Sequence, residues 1–554
     1  MTASIKFIDG TLRLTVNGQV VAPDAYITYF TRNNRYKNFA SLGYKLYSLP
    51  VFFSSKTLNE ISQAPCFGKA VFDTDEPDWE VLDNDFRKIL DECPDALIFP
   101  RMNVSLNEAW ELSNPDELCD FGRAPIHRPC FSSDKWAQES MRLYGMAIDH
   151  IASSDYADHV IGYQFAAGNT EEWFSHDQLG SIGKRSREKY AMWLSENSLD
   201  DSEENLYAYL SDIVATRICD LAKFTKQRAG YDKLVGTFYG YTFECADRTS
   251  CHHSLDRVLE CPDIDFLCSP VSYANDRALG RDHSCMLPCD SLREHGKLYF
   301  SENDTRTHLT FPPFPELPYF QQPVFAPKKF EDTVEMLKLH YSRSLVHGYA
   351  HWWFDMWGGW YDDQTYTAEM KQFLEISEQA IHKPMGSVSE IAVFIDEKAL
   401  KFNKSQEPAQ FIYQIRDTLG KIGTPYDCYL ASDYDRVKDR YKAIIILDTY
   451  RTALVDKLIA DSSLNGIGCY VINLENSDVS TDALREFCRG QGVHLYCEKD
   501  AVIFANQSYL FIHTCSEGAL EIKLADDRKL VGVMGADSTD GIFPAKYGCL
   551  FEIV

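Results

Sequence analysis

Three short stretches carry the residue types that could do chemistry. In KLYFSENDTRTHL (297–309) an apolar strand stops on Glu302, Asn303 and Asp304, with Arg306 and His308 just beyond. GNTEEWF (168–174) sets Asn169 ahead of Glu171, Glu172 and Trp173. HWWFDMWGGWYDD (351–363) holds Trp352, Trp353 and Asp355. A carboxylate at the end of a buried strand is costly to desolvate unless it is paired or has a chemical task. Two such groups facing each other could cleave a glycosidic bond: one carboxylic acid protonates the leaving oxygen, and the other attacks the anomeric carbon. A cation such as Arg306 would keep Glu302 ionised, which suits a nucleophile. The acid needs its pKa raised, by burial or by a negative partner.

These residues need a frame. From about 24 to 380, eight β-like runs alternate with helical ones: 25–30, 45–53, 96–104, 159–167, 233–242, 264–270, 297–302 and 348–356. They read as nearly continuous apolar runs, as expected for strands buried on both faces of a parallel sheet. Helical segments lie between them. FEDTVEMLKLHYSRSLVHG places Val334, Leu337, Tyr341 and Leu345 on one face and ends at Gly348. Eight strand-then-helix units predict an α/β fold, a (β/α)8 TIM barrel. The alternative, an open doubly wound sheet, would be of interest with a glycine-rich phosphate turn, and none follows the first strand.

In such a barrel the active site lies at the carboxyl ends of the strands. That rule gathers Arg101 and Asn103 from strand three, Asn169, Glu171 and Glu172 from strand four, and Tyr241 from strand five. Strand seven adds Glu302 and Asp304, and strand eight adds Trp352, Trp353 and Asp355. Tryptophan and tyrosine offer flat apolar faces to a sugar's C–H surface, and their N–H and O–H groups reach its hydroxyls. Alternation along a strand lets only one of Trp352 and Trp353 face the interior; the sequence leaves open which.

The pattern changes after residue 385. Residues 386–498 alternate strand and helix again (EIAVFIDE, PYDCYLA, YKAIIILD, GCYVINL) and predict a smaller Rossmann-like α/β domain. Residues 499–554 show short alternating strands, among them ALEIKLA and KLVGVMG, and predict a small β-sandwich-like domain. The first 21 residues read as a hairpin turning at Asn17-Gly18, covering one end of the barrel of residues 1–385.

Composition narrows the partners. The net charge is −27, from 55 basic and 82 acidic residues. So acidic a chain repels phosphate backbones and anionic lipid, which argues against nucleic-acid and membrane-surface roles. No apolar run is long enough for a secretion signal or a membrane span. The 17 cysteines are scattered, with no CxxC pair, and read as free thiols. A cytoplasmic protein is the expectation.

At these motifs the chain resembles clan A glycoside hydrolases. VIGYQFAAGNTEEWF, CPDIDFLCSPVSY and GKLYFSENDTRTHL are similar to family 42 β-galactosidases and related three-domain β-glycosidases. IAVFIDEKAL and the run PYDCYLASDYDRVKDRYKAIIILDTY resemble the β-galactosidase trimerisation domain. The resemblance implies a retaining exo-β-glycosidase acting on short oligosaccharides, needing no cofactor and no metal, and assembled as a homotrimer. Glu302 matches the nucleophile position. Family 42 has Asn directly followed by Glu at the end of strand four, whereas here Thr170 intervenes and two Glu follow. Glu172, beside Trp173, is the first choice for acid/base and Glu171 the second. Arg101, Asn103, Asn169, Trp173, Tyr241, Asp304, Arg306, His308, Trp352, Trp353 and Asp355 are the candidate sugar-binding residues. Two other readings stand beside this one: a β-mannosidase on the same scaffold, and a non-catalytic carbohydrate-binding protein on a degenerate barrel.

Overall fold

The computed structural model describes residues 1–58, 64–74, 76–121, 126–168, 170–174, 182–273, 277–317, 326–404, 407–535 and 542–554. Its centre is a closed barrel of eight parallel strands. In chain order they are Asp24–Ile27, Leu46–Phe52, Leu97–Asn103, Gly162–Ala166, Leu234–Phe238, Phe266–Pro270, Leu298–Asn303 and Ala350–Phe354, called strands one to eight below. Each pairs with the next, and strand eight closes on strand one through His351–Asp24 to Phe354–Ile27. The eight runs read from the sequence are these eight strands, with ends that differ by a few residues; strand one begins one residue earlier, at Asp24, and strand seven runs one residue further, to Asn303. Every residue in them is buried.

The interior is filled in layers, and the layers decide where polar groups can go. Phe99, Phe266 and Phe300 meet inside the barrel, with ring centroids 5.1 to 5.7 Å apart. Glycine makes room for them on the neighbouring strands. A Cβ on Gly236 would fall 2.3 Å from the Phe266 ring, and one on Gly162 would fall 2.8 Å from that of Phe99. Trp352 stacks on Phe300 from above at 5.0 Å, and Arg101 lies over the Trp352 ring at 4.9 Å. Below this level the barrel is aromatic; above it, charge begins.

The amino-terminal segment is a three-stranded antiparallel sheet, Ala3–Ile8, Thr11–Val16 and Gln19–Val20. Asn17 and Gly18 both take positive φ (49° and 82°), as a type I′ turn requires. Asp9-Gly10 makes a second turn with both residues at positive φ (50° and 85°), which the hairpin reading did not single out. Arg13 ties this sheet to the barrel through the carbonyls of Ala380 and Lys383, at 3.3 and 2.8 Å.

One expectation about a helix is corrected. Phe330–His347 is not apolar on a single face: residues 333 to 346 are all buried. It packs on strand eight and on the strands Ala501–Ala505, Tyr509–Thr514 and Gly548–Ile553. Several of its polar residues are therefore paired inside the protein. Glu335 accepts from the Gly548 N–H at 2.6 Å and pairs with Lys338 at 3.0 Å.

Beyond the barrel, Asp427–Leu430, Ile391–Ile395, Ala443–Asp448 and Gly468–Asn473 form a four-stranded parallel sheet in that spatial order. Arg416 fastens this region to the barrel through the Cys285 carbonyl at 2.9 Å and Glu244 at 3.1 Å. The carboxylate of Glu397 accepts from the N–H groups of Leu255 and Asp256 at 2.7 and 2.9 Å. The last strands, with Leu530–Met534 at the edge, form an antiparallel sheet. ALEIKLA does not become the strand expected of it. Only Gly518–Ala519 pairs, with Ile542–Phe543, while Leu520, Ile522 and Leu524 pack singly on the small core.

Candidate active site

The carboxyl ends of strands one, three, four, five, seven and eight bring a dense polar cluster onto the aromatic layer. Strand three contributes Arg101 and Asn103, which share a face because they are two residues apart. Arg101 is fully buried and spends its guanidinium on three partners. Nη2 donates to Glu302 Oε2 at 2.9 Å, Nη1 to the Tyr29 hydroxyl at 3.0 Å, and Nε to Gln164 Oε1 at 3.1 Å. A planar fork held on three sides has one orientation.

Glu302 ends strand seven and is 5% exposed. Its Oε2 also accepts from Trp352 Nε1 at 2.8 Å. Burial pushes its pKa up, opposed by the Arg101 charge; Asp304 pushes the same way as burial, and the Trp352 hydrogen bond opposes it. The guanidinium that reaches Glu302 is that of Arg101. Arg306, expected to supply this charge, lies over the Trp357 ring at 5.1 Å.

Strand four ends in a turn of unusual backbone. Thr170, Glu171 and Trp173 all have positive φ (55°, 68° and 64°). Trp173 anchors the turn. It is fully buried, its N–H donates to the Ala167 carbonyl at 2.8 Å, and its indole donates to Thr237 Oγ1 at 2.7 Å. It packs on Phe131 and Phe165, so it braces the turn instead of offering a face to a sugar. Asn169, between Gly168 and Thr170, lies outside the described residues.

The turn presents two carboxyl groups in different surroundings. Glu171 is 2% exposed; Oε1 accepts from Asn103 Nδ2 at 2.6 Å and Oε2 from the Tyr29 hydroxyl at 3.3 Å. Glu172 is half-buried; Oε1 accepts from the Tyr241 hydroxyl at 2.8 Å and Oε2 from Thr170 Oγ1 at 2.6 Å. Burial raises both pKa values to about 7, and the charge of Glu302 adds to the rise in each. A carboxyl group with a pKa near 7 can hold or give up a proton close to neutrality, as a general acid must, and the Arg101 charge and the donors Asn103 and Tyr29 pull Glu171 toward its ionised form.

The remaining candidates divide. Asp304 pairs with Arg277 at 2.6 Å and accepts from the Tyr273 hydroxyl at 2.8 Å. Trp353 points out of the barrel, donates to the Tyr44 hydroxyl at 3.0 Å and stacks on Phe373. Asp355 is fully buried. It accepts from the N–H groups of Trp360 and Gly359 and from the Tyr26 hydroxyl at 2.9 to 3.1 Å, and so holds the loop after strand eight. His308 pairs with the Tyr366 hydroxyl and packs on Phe330. These contacts give Trp353, Asp355 and His308 structural tasks away from the carboxyl cluster.

Sequence reading missed Tyr29 and Gln164, the two polar groups that orient Arg101. Tyr29 lies just past the end of strand one and Gln164 in the middle of strand four, within the apolar runs AYITYF and HVIGYQFAA, with no charge to mark them. Beside the cluster, a cavity of about 840 Å³ is lined in part by Phe30, Phe67, Phe314, Arg32, Lys69 and Lys88. Its Phe67 ring lies 5.7 Å from that of Tyr29.

No family model matches the chain, and no curated protein matches it in sequence. Solved structures do. An apo exo-carrageenase of GH42 from Bacteroides ovatus aligns with a TM-score of 0.62 at 12% identity, over 99% of this chain and 84% of that one. Gan42B, a GH42 β-galactosidase, aligns with a TM-score of 0.62 at 11% identity, over 96% of this chain and 98% of its own. Both alignments extend over nearly the whole of this chain.

Proposed function

We propose that this protein is a retaining exo-β-glycosidase, with Glu302 as nucleophile and Glu172 as acid/base. One observation carries the reading. A carboxylate held by Arg101 and Trp352 ends strand seven, and a carboxyl group with its pKa raised to about 7 ends strand four of the same closed barrel. That is the division of labour a double displacement needs. Arg101 favours the ionised form of Glu302 and fixes the oxygen that is not attacking. Glu172 is the more exposed of the strand-four pair, so a leaving group has access to it. Tyr241 orients it by donating to one oxygen.

Several observations are consistent with a neutral sugar as substrate. The cluster is walled by Trp352, Tyr29 and Tyr241, and the chain is strongly acidic. The two GH42 enzymes that share the fold act on a carrageenan and on β-galactosides by their names, so β-galactoside is our first choice and β-mannoside our second. We also propose that the α/β region after residue 385 assembles the protein as a trimer, which mass measurement in solution checks.

The test is a panel of aryl β-galactoside, β-mannoside, β-glucoside and β-fucoside substrates. Wild-type protein should release aglycone from at least one, with the β-configured sugar as first product. Glu302→Gln should bind that sugar and not turn it over. Binding across the panel with no release of aglycone by wild type would instead identify a carbohydrate-binding protein.

A further inference from the structure

Glu171 is left without a task by this reading, yet the chain goes to some length to hold it. Its φ of 68° lies where glycine is at ease and other residues are rare. The turn keeps that conformation because Trp173 is locked into the barrel wall behind it. Both oxygens of the buried carboxylate meet hydrogen-bond donors, Asn103 Nδ2 and the Tyr29 hydroxyl. Such a site is built for the ionised form, which accepts only. The Tyr29 hydroxyl that donates to Glu171 accepts from Arg101 Nη1, and Arg101 Nη2 donates to Glu302. A single buried guanidinium thus stands between two carboxylates, one touched directly and one through a phenol.

We propose that Glu171 is a positioning residue that balances the charge of Arg101, through Tyr29, while Glu302 is bonded to the sugar. The inference rests on the assignment of Glu302 as nucleophile. In the first step a Glu302 oxygen forms a bond to the anomeric carbon, the bond from that carbon to the leaving oxygen breaks, and that oxygen takes the proton of Glu172. Net charge is conserved, but it moves. Glu302 passes from carboxylate to neutral ester, and the negative charge appears on Glu172, which faces Tyr241 and Thr170. Arg101 cannot lose its proton. It would be left as a buried cation whose contacting anion has gone, a costly state. Glu171 is the carboxylate that remains on its hydrogen-bond chain. The same charge keeps the guanidinium plane in place for the second step, when water restores Glu302.

The experiment uses the full-length protein and aryl glycosides of graded leaving-group acidity, with the sugar to which wild type responds. Glu171→Gln should lower kcat/KM by about ten- to hundredfold, equally for good and poor leaving groups, without rescue by azide. Tyr29→Phe should give the same loss, and the double variant should be no worse than either. Glu171→Gly suits the backbone at this position, so it should melt no lower than wild type and still show the loss; this separates the role from folding. A loss that steepens with poorer leaving groups and is rescued by azide would overturn the proposal by making Glu171 the acid. Wild-type kinetics in Glu171→Gln would overturn it outright. A silent wild type would instead overturn the glycosidase reading, a distinct result.

Discussion

Trp352 and Trp353 are adjacent in the chain and serve opposite sides of the barrel wall. The indole of Trp352 donates to Glu302 at 2.8 Å inside the barrel, and that of Trp353 donates to the Tyr44 hydroxyl at 3.0 Å outside it. The alternation of a strand makes one a partner of Glu302 and the other a wall brace.

Trp352→Phe should therefore change the acid side of the pH profile. The lost indole hydrogen bond favours ionised Glu302, so its pKa rises and the acidic limb of kcat/KM moves to higher pH. Trp353→Phe should leave that limb in place. The same pH–rate series on both variants checks the pair.

Glu302→Gln should cost about 10³-fold or more in kcat, with sugar binding retained. Glu302→Ala in azide should form a glycosyl azide of inverted configuration, seen by proton NMR. Wild-type-like turnover by the Gln variant would remove Glu302 from the nucleophile's role.

Glu172→Gln should lose about 10²- to 10⁴-fold on substrates with poor leaving groups and far less on dinitrophenyl glycosides. The wild-type alkaline limb should fall near pH 7, where Glu172 gives up its proton, and should be absent in the variant with an activated substrate.

Stability should carry the same signature with a defined sign. Folding raises the Glu172 pKa from 4.5 to about 7, so the folded state binds the proton more tightly and its stabilising effect fades as pH rises from about 4.5 through 7. Between pH 5 and pH 8, Glu172→Gln should gain on wild type by on the order of 2–3 kcal/mol. Parallel thermal melts across that range check it; a difference that stays flat would contradict the buried, protonated carboxyl.

Arg101→Ala strands Glu302 in an apolar wall and should destabilise the protein by about 3–5 kcal/mol. Arg101→Lys keeps the charge but cannot reach Glu302, Tyr29 and Gln164 at once. It should fold and lose most activity, which circular dichroism and aryl-glycoside turnover would separate.

The eight barrel strands were legible because strands buried on both faces must be continuously apolar, and strand ends therefore announce themselves when charge begins, as at Glu302 and Glu171. The registers of the site were less so. Arg306 stands four residues from Glu302 and looked like its partner, but the chain has left the barrel there and its guanidinium lies over Trp357. Arg101, two hundred residues away, is brought against Glu302 by closure of the sheet. Tyr29 left no mark, because a tyrosine at the end of an apolar run reads as core. The helix from Phe330 to His347 looked amphipathic because its polar residues find their partners on segments far away in the chain: Glu335 on the Gly548 N–H, His340 on His283 and Arg343 on Asp282.

Apolar periodicity and the placement of carboxylates at strand ends are local properties, so the residue order alone determined the barrel, its strand count and the stretches that would carry chemistry. Which cation meets Glu302, which tryptophan faces inward, and how Glu171 and Glu172 divide between Tyr29 and Tyr241 were decided only in three dimensions. The physical reason is that these are contacts between strands far apart in the chain, and barrel closure sets their distances while sequence spacing does not.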